Sequence, residues 1–128
     1  MCTVKNSPAD QTYITEDERR KCRKVADAFT ELEQDGIAVV DAGKFGFVKL
    51  QYYTYPTGFE DAVTFTDSGA LFEDLWEEWL HSQLIILARE MGIRDIDYDD
   101  VFSRLSGEKK AELMEKRQCF KEKSSGGL

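Results

Sequence analysis

Hydrophobic and polar positions along the chain change period several times, and each change marks a predicted element. Apolar residues first recur at helical spacing between Cys22 and Leu32, behind a Thr15–Glu18 pair with the spacing of a helix capping box. Gly36 follows, and glycine commonly ends helices because it adopts a left-handed conformation at little cost. The first element is therefore predicted to be an amphipathic helix that begins after Thr15.

Three short segments of β character come next. Residues 37–40 are a mostly β-branched run, and residues 47–53 and 59–66 alternate with the period of two expected of strands. The intervening segments, 42–46 and 56–58, carry the glycine and proline residues typical of turns. Strands connected so closely predict an antiparallel meander.

The middle strand presents two different sides. We expect Tyr52, which shares one side with Val48 and Leu50, to lie in the core. The other side carries Phe47, Lys49, Gln51 and Tyr53.

Three helices are predicted after the sheet. The first begins at Asp67 or Ser68 and runs to Met91, where a glycine stops it. Its apolar side chains cover more than half of its circumference, so we expect it to be packed from more than one direction. Two shorter helices follow, one capped by Asp97 and the last capped by Ser106.

Together, these elements predict a small single α+β domain in the order α-β-β-β-α-α-α. It is a three-stranded antiparallel meander with an N-terminal helix and three C-terminal helices packed on the sheet. The domain is expected to span residues 15–120, between an N-terminal arm at 1–14 and a flexible C-terminal tail at 121–128. A chain of 128 residues is long enough to bury one core without disulfides or metals.

Composition and charge narrow the classes of function. The chain is 41% hydrophobic and 33% charged, as globular domains are, and its net charge of −8 disfavours direct binding of nucleic acid. Its longest apolar run, Leu84 to Ala88, is far shorter than the roughly 20 residues of a membrane span, and no apolar signal segment precedes it. We expect a cytoplasmic protein without membrane association. The cysteines fit a reducing compartment because they are widely separated and form no CxxC pair; they are Cys2, Cys22 and Cys119.

Candidate metal and catalytic motifs are incomplete. Glu78 and His81 have the ExxH spacing of di-iron bundles, but such bundles need two copies and this chain has one. A His81 paired with Glu77, one turn earlier, accounts for the spacing without a metal. The segment Asp95–Asp100 resembles the start of a calcium loop, yet an aspartate and a serine occupy the positions of its essential glycine and glutamate. We therefore expect no cofactor, and we favour a protein that is not an enzyme.

The distribution of charge is the strongest functional signal. Residues 60–100 hold twelve acidic residues against two arginines, a net charge of −10. Our leading hypothesis is a non-enzymatic binding or regulatory module whose acidic helix wall, with two turn tyrosines, meets the basic surface of a protein partner. The residues predicted to bind that partner are Glu73, Asp74, Glu77, Glu78, His81, Tyr53 and Tyr55.

Two alternatives belong to other classes of function. The helix carboxylates, together with those of Asp95–Asp100, could imitate phosphates, which would make the protein an inhibitor of a basic nucleic-acid-binding protein. The other alternative is an enzyme with a cryptic site built around His81 and a neighbouring carboxylate.

Overall fold

The computed structural model describes residues 13–32, 34–54 and 57–126, without the side chains of 53, 54, 57, 59 and 60. The predicted α+β fold and its element order are confirmed within these residues. The elements are α1 (Glu16–Phe29), a short 3-10 turn (Thr30–Leu32), β1 (Ile37–Asp41), a second 3-10 turn (Gly43–Phe45), β2 (Phe47–Thr54), β3 (Thr57–Phe65), α2 (Ser68–Glu90), α3 (Tyr98–Arg104) and α4 (Gly107–Ser124).

Each helix begins at a residue whose side chain satisfies a free backbone NH group. Thr15 accepts from the amide of Glu18 at 3.1 Å, which is the first half of the predicted capping box. The Glu18 carboxylate does not return to Thr15. It accepts instead from the amide of Ser68 at 2.7 Å, so the start of α1 is joined to the start of α2. The other caps are Asp67, Asp97 and Ser106.

The sheet is antiparallel with β2 in the middle, in the order β1-β2-β3. Val39 of β1 and Val63 of β3 lie opposite Lys49 of β2, so these three share one face. Phe47 lies on the same face because it is two residues before Lys49. Phe47 is 2% exposed and packs beneath the helices, which identifies this face as the inner one.

Tyr52 does not lie in the core, and that prediction is wrong. It is half-buried, as are Val48 and Leu50, whereas Val40 of β1 is 45% exposed. These side chains belong to the outer face of the sheet, over which no described element packs. The reason is that Phe47 and Lys49, on the opposite side of the strand, are the residues that contact the helices.

The core lies between the inner face of the sheet and helices α1, α2 and α4. The rings of Phe72 and Phe120 stack with centroids 4.6 Å apart, which joins α2 to α4. Trp79 donates its indole NH to the carbonyl of Leu32 at 3.0 Å, which joins α2 to the turn after α1. The broadly apolar α2 is therefore packed from more than one direction, as its sequence predicts.

Both ends of the domain pack against its body. Ile14, in the predicted arm, is buried and donates its amide to the carbonyl of Lys44 at 2.9 Å, while residues 1–12 lie outside the description. At the other end, α4 continues to Ser124, so the first four residues assigned to the tail are helical. The buried Phe120 anchors the last turn of α4. Lys121 and Lys123 in this turn interact favourably with the negative end of the helix dipole.

None of the helices in the described residues is both long enough and apolar enough to cross a membrane.

Candidate functional site

Lys49 organises two of the predicted site carboxylates. Its ammonium lies 2.5 Å from Asp74 Oδ1 and 3.0 Å from Glu78 Oε1, two groups one turn apart on α2. The Lys49 side chain is only 11% exposed. Burial by itself lowers the pKa of Lys49, but the hydrogen bonds and charges of the two carboxylates outweigh burial and hold the pKa above its ordinary value. The acidic wall of α2 consists of Glu73, Asp74, Glu77 and Glu78, and two of these four carboxylates therefore face a lysine of the sheet.

Glu73, a third member of the wall, pairs with Arg117 of α4. Two guanidinium NH groups donate to its carboxylate at 3.2 and 2.8 Å, and this pairing lowers the pKa of Glu73. The guanidinium also lies over the rings of Phe72 and Trp76, 5.1 and 5.8 Å from their centroids. Glu73 is thus held against α4 by Arg117, a partner that the sequence did not predict.

Glu77 and His81 face a groove between α2, α3 and α4. The ion pairs that α2 forms within the described residues use Glu73, Asp74 and Glu78, and they leave Glu77 without a partner. His81 stacks on Tyr98 with ring centroids 3.7 Å apart and an interplanar angle of 2°. One wall of the groove is therefore a flat aromatic pair that joins α2 to α3.

The groove has an apolar floor and an acidic rim. Its volume is about 340 Å³, and Met114, on the α4 side, is 48% exposed. The rim carries the carboxylates of Glu73, Glu77 and Asp99, and none of the described residues that line the groove is a lysine or an arginine. The apolar lining consists of Trp76, Leu80, Leu84, Phe102 and Met114.

The first turn of α3 places Asp99 at this rim. Asp97 caps the helix by accepting from the amides of Asp99 and Asp100 at 3.1 and 3.3 Å. Asp100 forms an ion pair with Arg104 at 3.2 Å. Two of these carboxylates are therefore occupied within α3, whereas Asp99 borders the groove.

Potential metal ligands and thiols give no further centre in the part of the chain that the structure describes. No group of three or more histidine, cysteine, aspartate or glutamate residues is arranged there to hold a metal ion. Cys22 is fully buried, and burial raises the pKa of its thiol to about 11, whereas Cys119 is exposed. Cys2, the side chain of Tyr53 and the whole of Tyr55 lie outside the described residues.

The structure thus separates the predicted site residues into three groups. Asp74 and Glu78 face Lys49, Glu73 faces Arg117, and only Glu77 and His81 line the groove without an ion-pair partner among the described residues. Sequence reasoning missed Lys49, Tyr98, Arg117 and Met114. Of these, only Tyr98 could have been suspected from the sequence, because it lies on the apolar face of the predicted α3. The other three residues contact α2 or its groove from distant parts of the chain, so no local pattern links them to it.

Comparison with known proteins adds no relative: no family model, no curated protein and no solved structure matches the chain.

Proposed function

We propose that the protein is a non-enzymatic binding module, and that its groove between α2, α3 and α4 holds a basic, amphipathic segment of a protein partner. The observation that carries this proposal is the combination of an apolar floor with a rim whose charged residues are Glu73, Glu77 and Asp99. Glu77 and Asp99 stand on that rim without an ion pair among the described residues, so an incoming lysine or arginine meets carboxylates that are not already neutralised.

The apolar floor supplies the contact area that the charges alone lack. Exposed single salt bridges contribute at most about 1 kcal/mol, so charge by itself favours encounter more than affinity. Met114 is 48% exposed. The unbranched side chain of methionine adapts to differently shaped apolar partners. The Tyr98–His81 stack adds a rigid aromatic wall. A segment with apolar residues on one helical face and lysines or arginines beside them matches both parts of the groove.

This proposal differs from the whole acidic wall predicted from the sequence. Asp74 and Glu78 are 35% and 30% exposed and already contact Lys49, so a partner would have to compete with an intramolecular ion pair to use them. Glu77, His81 and Asp99 require no such competition. The same geometry makes nucleic-acid mimicry the less favoured alternative, because few of the carboxylates are available together.

A peptide-display selection against the folded protein tests the proposal. We expect the selected peptides to combine lysine or arginine with apolar residues three and four positions apart. A Glu77→Lys/Asp99→Lys variant should bind these peptides at least about tenfold more weakly, because it places like charges on the rim. Binding is measured by fluorescence polarisation of labelled peptides, and the emission of Trp76, which lines the groove, provides an internal signal.

The matched control is Glu90→Lys/Asp95→Lys, which makes the same change in net charge at exposed positions that do not line the groove. It should bind within about twofold of the parent protein, since long-range charge effects are screened in physiological salt. Equal losses in both variants, or selected peptides without basic residues, would refute the groove as the binding site.

A further inference from the structure

A second cavity opens between α1, the first turn of α2 and the last turn of α4. Its volume is about 420 Å³, within the range of roughly 300–1,000 Å³ typical of small-molecule sites. Val25 and Phe72 form its apolar wall, and Gly69 leaves space at the start of α2 because it has no side chain. Glu73 is the only residue that this cavity shares with the acidic groove.

The mouth of this cavity is basic, although the whole chain carries a net charge of −8. It is lined by Lys21 and Lys24 of α1 and Lys121 of α4. Lys21 forms ion pairs with Asp17 and Glu18, whereas the ion pairs among the described residues leave Lys24 and Lys121 unused. Two lysines from different helices therefore line one opening outside any ion pair among the described residues, and Glu73, the carboxylate that Lys121 also influences, is already paired with Arg117.

The start of α2 does not supply the positive charge. The amide of Ser68 donates to Glu18 at 2.7 Å, and the amide of Ala70 donates to Asp67 at 2.7 Å. These carboxylates already occupy the positive end of the helix dipole. Any anion in the cavity is accordingly attracted by the lysines.

Ser124 provides an observation that is independent of the charges, because a buried polar atom beside the cavity lacks a hydrogen-bond partner. This residue lines the cavity and is 8% exposed, and its Oγ is the one buried side-chain polar atom without a hydrogen-bond partner within the described residues. A helical serine often bonds to the carbonyl four residues earlier, and Ser124 does not. A buried hydroxyl without a partner destabilises the fold. A ligand atom that accepts a hydrogen bond from Ser124 would therefore remove this destabilisation.

We propose that this cavity binds a small organic anion with an apolar body, of the class of aliphatic or aromatic carboxylates. The carboxylate lies between Lys24 and Lys121 and accepts a hydrogen bond from Ser124 after the serine side chain rotates to bring its buried Oγ to the cavity. The apolar body contacts Val25 and Phe72. This site is separate from the acidic groove and does not depend on the function proposed for it.

Octanoate titration followed by NMR and calorimetry tests the site on the full chain. Octanoate should shift the amide signals of Lys24, Gly69 and Ser124. Octanol, which has the same chain without a charge, and inorganic phosphate, which has charge without a chain, should each bind at least about tenfold more weakly. Equal binding of octanol, or octanoate shifts confined to the outer face of the sheet, would overturn the proposal.

Two variants and a control separate specific binding from general charge. Lys24→Glu/Lys121→Glu should weaken octanoate binding at least about tenfold, and Lys110→Glu/Lys116→Glu, with the same charge change away from the cavity, should not. Ser124→Ala should raise the melting temperature of the free protein by about 2–5 °C while lowering octanoate affinity several-fold. A Ser124→Ala protein that is less stable, or that binds octanoate as well as the parent does, would contradict the role of the hydroxyl.

Discussion

At the scale of single residues, Lys49 explains most of the difference between the charge pattern of the sequence and that of the surface. A lysine on the inner face of a sheet is stable there only if its charge is paired and hydrogen-bonded. Asp74 and Glu78 meet this requirement from α2. Two carboxylates that look like part of an interaction surface therefore have a structural role. Glu77 remains as the α2 carboxylate on the groove that has no ion-pair partner among the described residues.

Replacing Lys49 with methionine should destabilise the protein by about 1–3 kcal/mol, because it leaves Asp74 and Glu78 partly buried and without a cation. The loss is small because both carboxylates are about one-third exposed and keep part of their hydration. The triple variant Lys49→Met/Asp74→Leu/Glu78→Leu should recover most of the loss, since it removes all three charges. Urea denaturation at pH 7 measures both effects, with the exposed Lys116→Met as control.

The effect of Lys49→Met should also depend on pH. The folded pKa of Lys49 is raised, so the stability it contributes is fully present below the unfolded lysine pKa of about 10.4 and is lost as the pH rises through the higher folded pKa. On raising the pH from neutral, the difference between the parent and the variant should therefore begin to shrink only above about pH 10.4. A difference that disappears near neutral pH would show that Lys49 is not held by its ion pairs.

At the scale of elements, the turn between β1 and β2 depends on two glycines in different ways. Gly43 has φ +67°, in the left-handed region, and a Cβ placed on it would meet no atom within 4 Å. Gly46 has φ +106°, and a Cβ there would overlap the carbonyl of Phe65 on β3. The first glycine is needed for its backbone conformation alone, and the second also allows β3 to approach the turn.

Alanine substitutions at these two positions should therefore differ strongly. Gly43→Ala should cost about 1 kcal/mol, the usual penalty for a left-handed residue with a side chain. Gly46→Ala should cost about 3 kcal/mol or more, because backbone atoms of two segments must move apart. Chemical denaturation of the two variants measures the difference. Similar losses at both positions would mean that β3 does not pack against this turn as closely as the structure shows.

At the scale of the whole molecule, the helices in the described part of the chain cover one face of the sheet. Val39 and Val40 are neighbours in β1 and point to opposite faces. Val39 packs against the core, whereas Val40 is 45% exposed. The domain is thus a two-layer structure, and both proposed binding sites lie in its helical layer.

This asymmetry predicts unequal effects for the same substitution at adjacent positions. Val39→Ala should destabilise the protein by about 1–2 kcal/mol, because it removes two methyl groups that contact the core. Val40→Ala should change stability by no more than about 0.5 kcal/mol. Thermal or urea unfolding compares them directly. A larger loss at Val40 would show that the outer face is covered, for example by a second copy of the chain.

The sequence by itself determined the features that depend on neighbouring residues. The caps at Thr15, Asp67, Asp97 and Ser106 were predictable because each is a hydrogen bond spanning two or three positions. The element order and the meander followed from hydrophobic period and turn residues in the same way.

Only the tertiary structure decided which face of the sheet is buried and where the charges point. Both sides of β2 carry apolar residues, so its alternation identifies two faces without saying which one is covered. That choice rests on contacts between residues 25 or more positions apart, such as Lys49 with Asp74 and Glu73 with Arg117. Lys49 is stable on the inner face because two carboxylates of α2 pair with it. The residues next to Lys49 in the sequence do not indicate which distant carboxylates these are.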